Sequence, residues 1–366
     1  MNILTSCSAL VILALQPTTS NATTTPIAFK ANDTELSGLL DVPASGEAYA
    51  IVIIVHGYGK TNVVEQNWYF DLRSRLLAQG IATFVWDKPG CGESSGEFDP
   101  NQSVASSARE VLAAASFLRD QQIAGSQKIG LWGISRAGWI APLAMAEDRD
   151  IEFWISVSGV DAKESFGYLL RSNWKLEGYG KEQIEHLYGQ WLRGNHIVAN
   201  GGTYSEYLDA TAALRADPFF VYMSGGDSSV SEAQFDRLVT ETRDLSQPND
   251  PDTGLAIYVE DFSSILSNID ASVLALFGAR DSIVNWRSTK RLYEDTIGRN
   301  SSASLKIVTF SDGNHNLHRS ETGSFKEMMK ILDSPEMVRG YYDEITTWLN
   351  EVVFRDEAER TDEPVD

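Results

Sequence analysis

The sequence predicts an α/β fold: a mostly parallel, eight-stranded sheet flanked by helices and interrupted once by a helical insertion. Three observations lead there. Short β-branched runs alternate with longer stretches of helical pattern. The alternation stops near residue 160 and resumes near residue 269. And 366 residues, 43% of them hydrophobic, supply a core for one large domain.

The elements follow in order. "PIAFKA" and "ELSGLLDVP" read as an opening pair of strands, and "AIVIIV" (50–55) as a buried one. "NWYFDLRSRLLAQG" (67–80) predicts a helix closed by Gly80. "IATFVW" (81–86) is the next strand, and an Ala-rich helix covers roughly residues 103–119. "KIGLWGI" (128–134), a helix through "APLAMAE" and "IEFWISVSG" (151–159) continue the alternation. Residues 160–268 then turn aromatic, polar and irregular, with loops at "VANGGTYSEY" and "SQPNDPDTG". We read them as a helical insertion within one domain. "SVLALFG" (272–278), a helix near 286–297, "SLKIVTF" (304–310) and a helix over 336–354 complete the fold. The core thus comprises residues 23–159 and 269–354, and "RDEAERTDEPVD" (355–366) is an acidic tail expected to be disordered.

The apolar run "SALVILALQ" (8–16), followed by "PTTSNATTT", resembles a secretory leader cut near residue 22 and predicts an exported protein. "LTSC" (4–7) resembles a lipoprotein cleavage box, so lipid anchoring at Cys7 is the alternative. Once the leader is removed, Cys91 is the sole cysteine and no intrachain disulfide can form. No segment beyond the leader is apolar enough to span a bilayer. A net charge of −21 would repel nucleic acid and anionic membranes alike.

Two nucleotide readings fail on spacing. In "VHGYGKT", the first glycine of a GxxxxGK[ST] phosphate loop would stand at position 54, which is Ile54. Lys60 and Thr61 are then bystanders. In "DKPGCGESSG", Gly90, Gly92 and Gly96 are spaced GxGxxxG, which is not the dinucleotide fingerprint. Asp87 and Gly92 are expected to shape that loop, and Cys91 to pack in it. Cys/His spacing for zinc is absent, and no cofactor is implied.

"LWGISRAGW" (131–139) carries the strongest signal: a strand, a Gly-x-Ser-x-Ala turn, then a helix. A serine on so tight a turn needs small neighbours, here Gly133 and Ala137, the second standing where the strict pattern has glycine. A serine hydroxyl also needs a base held in one tautomer by a carboxylate. Among five histidines, His315 in "TFSDGNHNLH" follows the last strand, and Asp281 in "VLALFGARDSIV" follows the one before it. All three candidates fall at carboxyl ends of strands, where parallel α/β sheets place their sites. Alternatives are His318 as base, Asp312 as acid and Asp281 as a helix cap, while His186 and His196 read as surface or packing residues.

The order Ser135, Asp281, His315 is the Ser–acid–His order of α/β-hydrolases. With "VHGYG", "DKPGCGESSG", "GISRAGW", "FGARDSIV" and "DGNHNLH" in family order, the chain resembles exported esterases of the prolyl-oligopeptidase-like and dienelactone-hydrolase-like branches. The resemblance covers residues 26–159 and 270–354 and leaves the insertion unmatched. It implies an α/β-hydrolase fold with a helical cap, Ser135 as nucleophile, Asp281 as acid and His315 as base. It also implies backbone N–H groups of Tyr58 and Arg136 as oxyanion donors. The insertion, lying between the strands that end near 158 and start at 272, is expected to cover the catalytic edge as a cap, some of its aromatic rings lining the pocket. The expected activity is hydrolysis of a small-molecule ester of a short or medium carboxylic acid. The alternative is a serine exopeptidase using cap carboxylates (Glu164, Glu177, Glu182, Glu206) to hold a free amine. A third reading is a binding protein that kept the fold without the activity. Oligomeric state is not read from the sequence.

Overall fold

β1 (Thr23–Ala31) and β2 (Thr34–Val42) form an antiparallel hairpin turned by Asn32 and Asp33, both with left-handed φ (48° and 63°). Asn and Asp are the non-glycine residues that tolerate this conformation best. β2 pairs antiparallel with β4 (Ile81–Trp86). From there the sheet is parallel through β3 (Ala50–Val55), β5 (Ile129–Ile134), β6 (Ile151–Val157), β7 (Ser272–Gly278) and β8 (Ser304–Phe310). The spatial order is β1-β2-β4-β3-β5-β6-β7-β8, the eight strands expected. This computed structural model describes residues 23–354, apart from residues 164, 245–248, 256 and 333. The leader, with Cys7, the acidic tail and Glu164 lie outside the described residues.

Before the insertion lie helices α1 (Val63–Gln66), α2 (Phe70–Ala78), α3 (Val104–Asp120) and α4 (Ala137–Glu147). Between β6 and β7 come α5 (Phe166–Leu176), α6 (Lys181–Ala199), α7 (Tyr204–Ala210), α8 (Ala212–Arg215), α9 (Pro218–Met223), α10 (Glu232–Asp244) and α11 (Phe262–Ser267). The last three are α12 (Trp286–Asp295), α13 (Phe325–Ile331) and α14 (Tyr341–Val353). None among the described residues is long and apolar enough to cross a membrane.

Strand alternation divides the core. Ile51, Ile53 and Val55 of β3 pack on the α3 and α4 side, whereas Ala50, Val52 and Ile54 pack towards α2 and α14. Every residue of β3 and β4 is buried, because helices cover both faces. The insertion has a separate core of Leu169, Leu170, Trp174, Leu187, Trp191, Leu214 and Phe219.

Two helix boundaries differ from the expectation. The helix read from residue 67 begins at Phe70, because Asn67 (φ 52°) closes α1 and Tyr69 (φ 58°) turns the chain. Tyr69 accepts that conformation to set its ring 5.3 Å from Trp132 and 5.8 Å from His56, measured between centroids. The last helix starts at Tyr341 rather than 336. Residues 336–338 instead bond to the loop after β8, Arg319 N–H donating to Glu336 O (2.7 Å) and Val338 N–H to Leu317 O (2.9 Å).

Candidate active site

Ser135 follows β5 with a φ of 57°, left-handed backbone that a serine adopts only when its surroundings impose it. Its N–H donates to Val157 O at the end of β6 (2.9 Å), and its carbonyl accepts Gly138 N–H (2.7 Å). The small neighbours are needed for contact. A Cβ on Gly133 would lie 2.7 Å from the Ala137 methyl, and one on Gly138 2.8 Å from Val160 N. Ala137 is therefore accommodated because Gly133 leaves it room, and Gly138 lets α4 approach the β6 exit.

His315 Nδ1 donates to Asp281 Oδ2 at 2.8 Å, both residues being buried. The other carboxylate oxygen accepts the N–H groups of Ile283 (2.8 Å) and Val284 (2.9 Å), so Asp281 caps its own loop as well as orienting the ring. The loop bearing His315 is shaped by buried Asn314, whose Oδ1 accepts the N–H of Asn316 and of His318. Among the described residues, no hydrogen bond joins Ser135 Oγ to His315. Such bonds are often long before substrate arrives.

Among the described residues, none of the other histidines bonds Asp281 or Ser135. His318 pairs through its backbone with Met337, and burial lowers its pKa. His186 bonds Gln190 and His196 bonds Asp252 O. Asp312 faces Arg319 at 3.8 Å. His56 is a packing residue: Nε2 donates to Trp86 O (2.5 Å) and Nδ1 faces the Tyr69 hydroxyl (3.4 Å). Burial, reinforced by the Lys88 charge and opposed by the Trp86 bond, pulls its pKa down to about 3, so the ring is neutral.

Tyr58 and Arg136 flank the serine turn. A Cβ on Gly57 would stand 3.2 Å from Ile134 O and 3.4 Å from Ser135 Cβ, which is how closely the β3 exit loop passes the serine. Among the described residues, neither Tyr58 N–H nor Arg136 N–H is taken by a protein acceptor. The Arg136 side chain points away, donating to Gln102 O and to Ser107 Oγ (3.2 Å). It helps line a cavity shared with His56, Tyr58, Lys88, Phe98 and Glu110. Burial lowers the pKa of Lys88 to about 8, an effect increased by Arg136 and opposed by Cys91 and Glu110. Burial raises the pKa of Glu110 and lowers that of Arg136.

Sequence reasoning missed three contributors. Thr61 is no bystander: it is buried, and its Oγ1 accepts Lys88 N–H (2.9 Å). Lys88 Nζ donates to Gly57 O (2.6 Å) and Gly59 O (2.8 Å). Asn173 on α5 bolts the insertion to the acid loop, donating to Ser282 O (3.3 Å) and accepting Phe325 N–H (2.7 Å). A lysine between an aspartate and a glycine turn was the one available signal for Lys88. Asp87 shapes the loop as expected, its carboxylate accepting the Val63 (2.6 Å) and Val64 (3.3 Å) N–H groups that open α1. Gly92 is required beside it, since a Cβ there would collide with that carboxylate. Among the described residues, no group of three or more His, Cys, Asp or Glu side chains is arranged to hold a metal ion.

The sheet order, the serine turn after β5, and the acid and histidine loops after β7 and β8 give the chain an α/β-hydrolase fold. Comparison with known proteins agrees. The family model described as serine aminopeptidase, S33, matches residues 46–165. A thiohydrolase of Aspergillus aculeatus (aneE) is 28% identical over 110 residues, 29% of this chain and 32% of that protein. A polyketide transferase of Penicillium crustosum (claH) is 30% identical over 117 residues, 32% and 37% of the two chains. These alignments thus span about a third of the curated relatives. Solved structures match over nearly the whole chain. The Pyrococcus furiosus esterase Pf2001 superimposes with a TM-score of 0.52 at 14% identity, covering 94% of this chain and 96% of that one. DcsB, solved with a substrate analogue, gives 0.53 at 16% identity over 90% and 99%.

Proposed function

We propose that this protein is a serine hydrolase that cleaves esters of small or medium carboxylic acids through an acyl-serine intermediate. The observation that carries the reading is the 2.8 Å Asp281–His315 bond in the loops after β7 and β8, together with a serine held at φ 57° after β5, at the same carboxyl edge of the sheet. Asp281 keeps the Nδ1 proton in place and leaves Nε2 free to accept the Ser135 proton as Oγ attacks the ester carbonyl. The carbonyl oxygen becomes an oxyanion and takes hydrogen bonds from Tyr58 N–H and Arg136 N–H. His315 then returns the proton to the departing alkoxide, releasing an alcohol. Water, deprotonated by the same ring, repeats the sequence on the acyl-serine and releases the acid.

The matched family model carries a peptidase's name and a matched structure an esterase's, so those names leave both bonds open. Three of the four insertion carboxylates that could hold a peptide's amine lie among the described residues. Glu177 is paired with Lys326 at 2.7 Å, and Glu206 is consumed by the capping box that opens α7. Glu182 stands exposed in the first turn of α6. These carboxylates offer no common site for a peptide amine.

A fluorophosphonate probe is expected to label the wild-type protein and not Ser135→Ala, with ester hydrolysis falling at least ~10³-fold in that variant. Absent or Ser135-independent labelling refutes the serine mechanism. Faster turnover of aminoacyl-naphthylamides than of nitrophenyl acetate would transfer the assignment to the peptidases.

A further inference from the structure

Accepting Tyr58 N–H as an oxyanion donor, we propose that Lys88 is the positioning residue that aims and polarises it. The argument begins with one peptide unit. Gly57 C=O and Tyr58 N–H belong to the same planar group, and no peptide bond among the described residues is cis, so the two dipole ends point in opposite directions. Lys88 Nζ holds the oxygen end at 2.6 Å. Fixing that oxygen fixes the direction of the N–H, and a cation at the oxygen draws electron density from the nitrogen and strengthens the donor. The second bond, to Gly59 O at 2.8 Å, grips the loop on the far side of Tyr58.

The loop has little else to hold it. The Tyr58 side chain is 71% exposed, and Gly59 adopts a φ of +97° with open space about it. Lys88 is itself anchored by its own N–H on Thr61 Oγ1 (2.9 Å). The clamp therefore joins the β4 exit to the β3 exit across the floor of the site. Its geometry also makes the donor's strength depend on the Lys88 charge. The groups that face the ammonium or share its cavity are Arg136 at the start of α4, Glu110 of α3, Cys91 of the same loop, His56 after β3 and Asp99. The lysine pKa is lowered to about 8, so the ammonium is charged at neutral pH and loses its proton on the alkaline side. A neutral amine can still donate, without the charge that polarises the peptide.

The test is steady-state hydrolysis of nitrophenyl acetate by the full chain from about pH 6 to pH 10, with fluorophosphonate labelling of Ser135 in parallel. Lys88→Met is expected to lower kcat about 10²-fold, the scale of losing one oxyanion donor, while KM changes by less than about threefold. Wild-type kcat is expected to decline above about pH 8. Lys88→Arg should keep kcat within about tenfold of wild type and lack that decline, because a guanidinium stays charged there. If Lys88→Met does not fold, the arginine variant decides. A Met variant with wild-type kcat, or an alkaline decline unchanged in Lys88→Arg, overturns the clamp while labelling of Ser135 persists. Wild-type protein that neither labels nor turns over ester overturns the hydrolase reading instead.

Discussion

Asp41, in the antiparallel part of the sheet, and Asp281, at the end of parallel β7, are almost equally hidden, 1% and 3% exposed. Their partners differ in kind. Asp41 accepts from Arg73 Nε (2.6 Å) and Nη2 (2.8 Å), Thr83 Oγ1 (2.8 Å) and Thr24 Oγ1 (2.6 Å). Its cation is permanent and its four acceptor positions are filled, so the group is bound into the fold. Asp281 accepts two backbone N–H groups and one imidazole. That partner is charged only while it holds a second proton. A buried carboxylate facing a fixed cation is thus bound into the fold, whereas one facing a group that can change charge at a strand end has the arrangement that the proposed acid role needs.

The contrast is sharpest under substitution. Asp281→Asn is expected to lower kcat/KM about 10⁴-fold, since an amide can hold the ring in the wrong tautomer while still accepting from Ile283 and Val284. Thermal melting should move only a few degrees; activity within tenfold of wild type would break the comparison. Asp41→Asn should do the reverse. With Arg73 left buried and 2% exposed, urea denaturation should show a loss of about 3–5 kcal/mol. Turnover by the folded fraction should stay within about twofold, and a large fall in kcat at unchanged stability would contradict the division of roles.

The smallest effect concerns the one buried histidine beside the site that is read as structural. The His56 pKa is about 3 when folded, against 6.5 as its ordinary value. Between those values the unfolded chain binds a proton that the folded protein refuses. His56 therefore contributes stability that is complete above pH 6.5 and is lost as pH falls towards 3, by up to about 1.4 kcal/mol per pH unit. Urea midpoints at pH 7 and pH 5 should differ less in His56→Gln than in wild type. An equal difference in both would mean that His56 does not sense the acid.

What the sequence disclosed follows from how far apart the causes lie. β3, β4 and β7 are legible because a doubly covered strand must be apolar throughout, and "AIVIIV", "IATFVW" and "SVLALFG" show nothing else. Ser135, Asp281 and His315 were named from motif order, and the structure places the last two 2.8 Å apart. The break at Tyr69 was illegible, since no local signal puts a tyrosine at positive φ; its ring is held by His56 and Trp132. The start of α14 was hidden for the same reason, its preceding residues being claimed by the loop after β8. Thr61 and Lys88 were misread or passed over because their bonds join two loops about 30 residues apart in the chain, a distance no local motif spans.

Asn173 carries one more implication, for anyone who would transplant the helical insertion onto another sheet. Its side chain bonds Ser282 behind the acid loop and Phe325 at the start of α13, so the piece between residues 160 and 268 brings half of a joint whose other half stays in the donor. Moved without Ser282 and the α13 entry, a graft would arrive with an Asn173 amide that keeps Leu169 O but loses Ser282 and Phe325, and would leave behind an acid loop stripped of its brace. A working chimera therefore has to carry three separated pieces of the chain, not one.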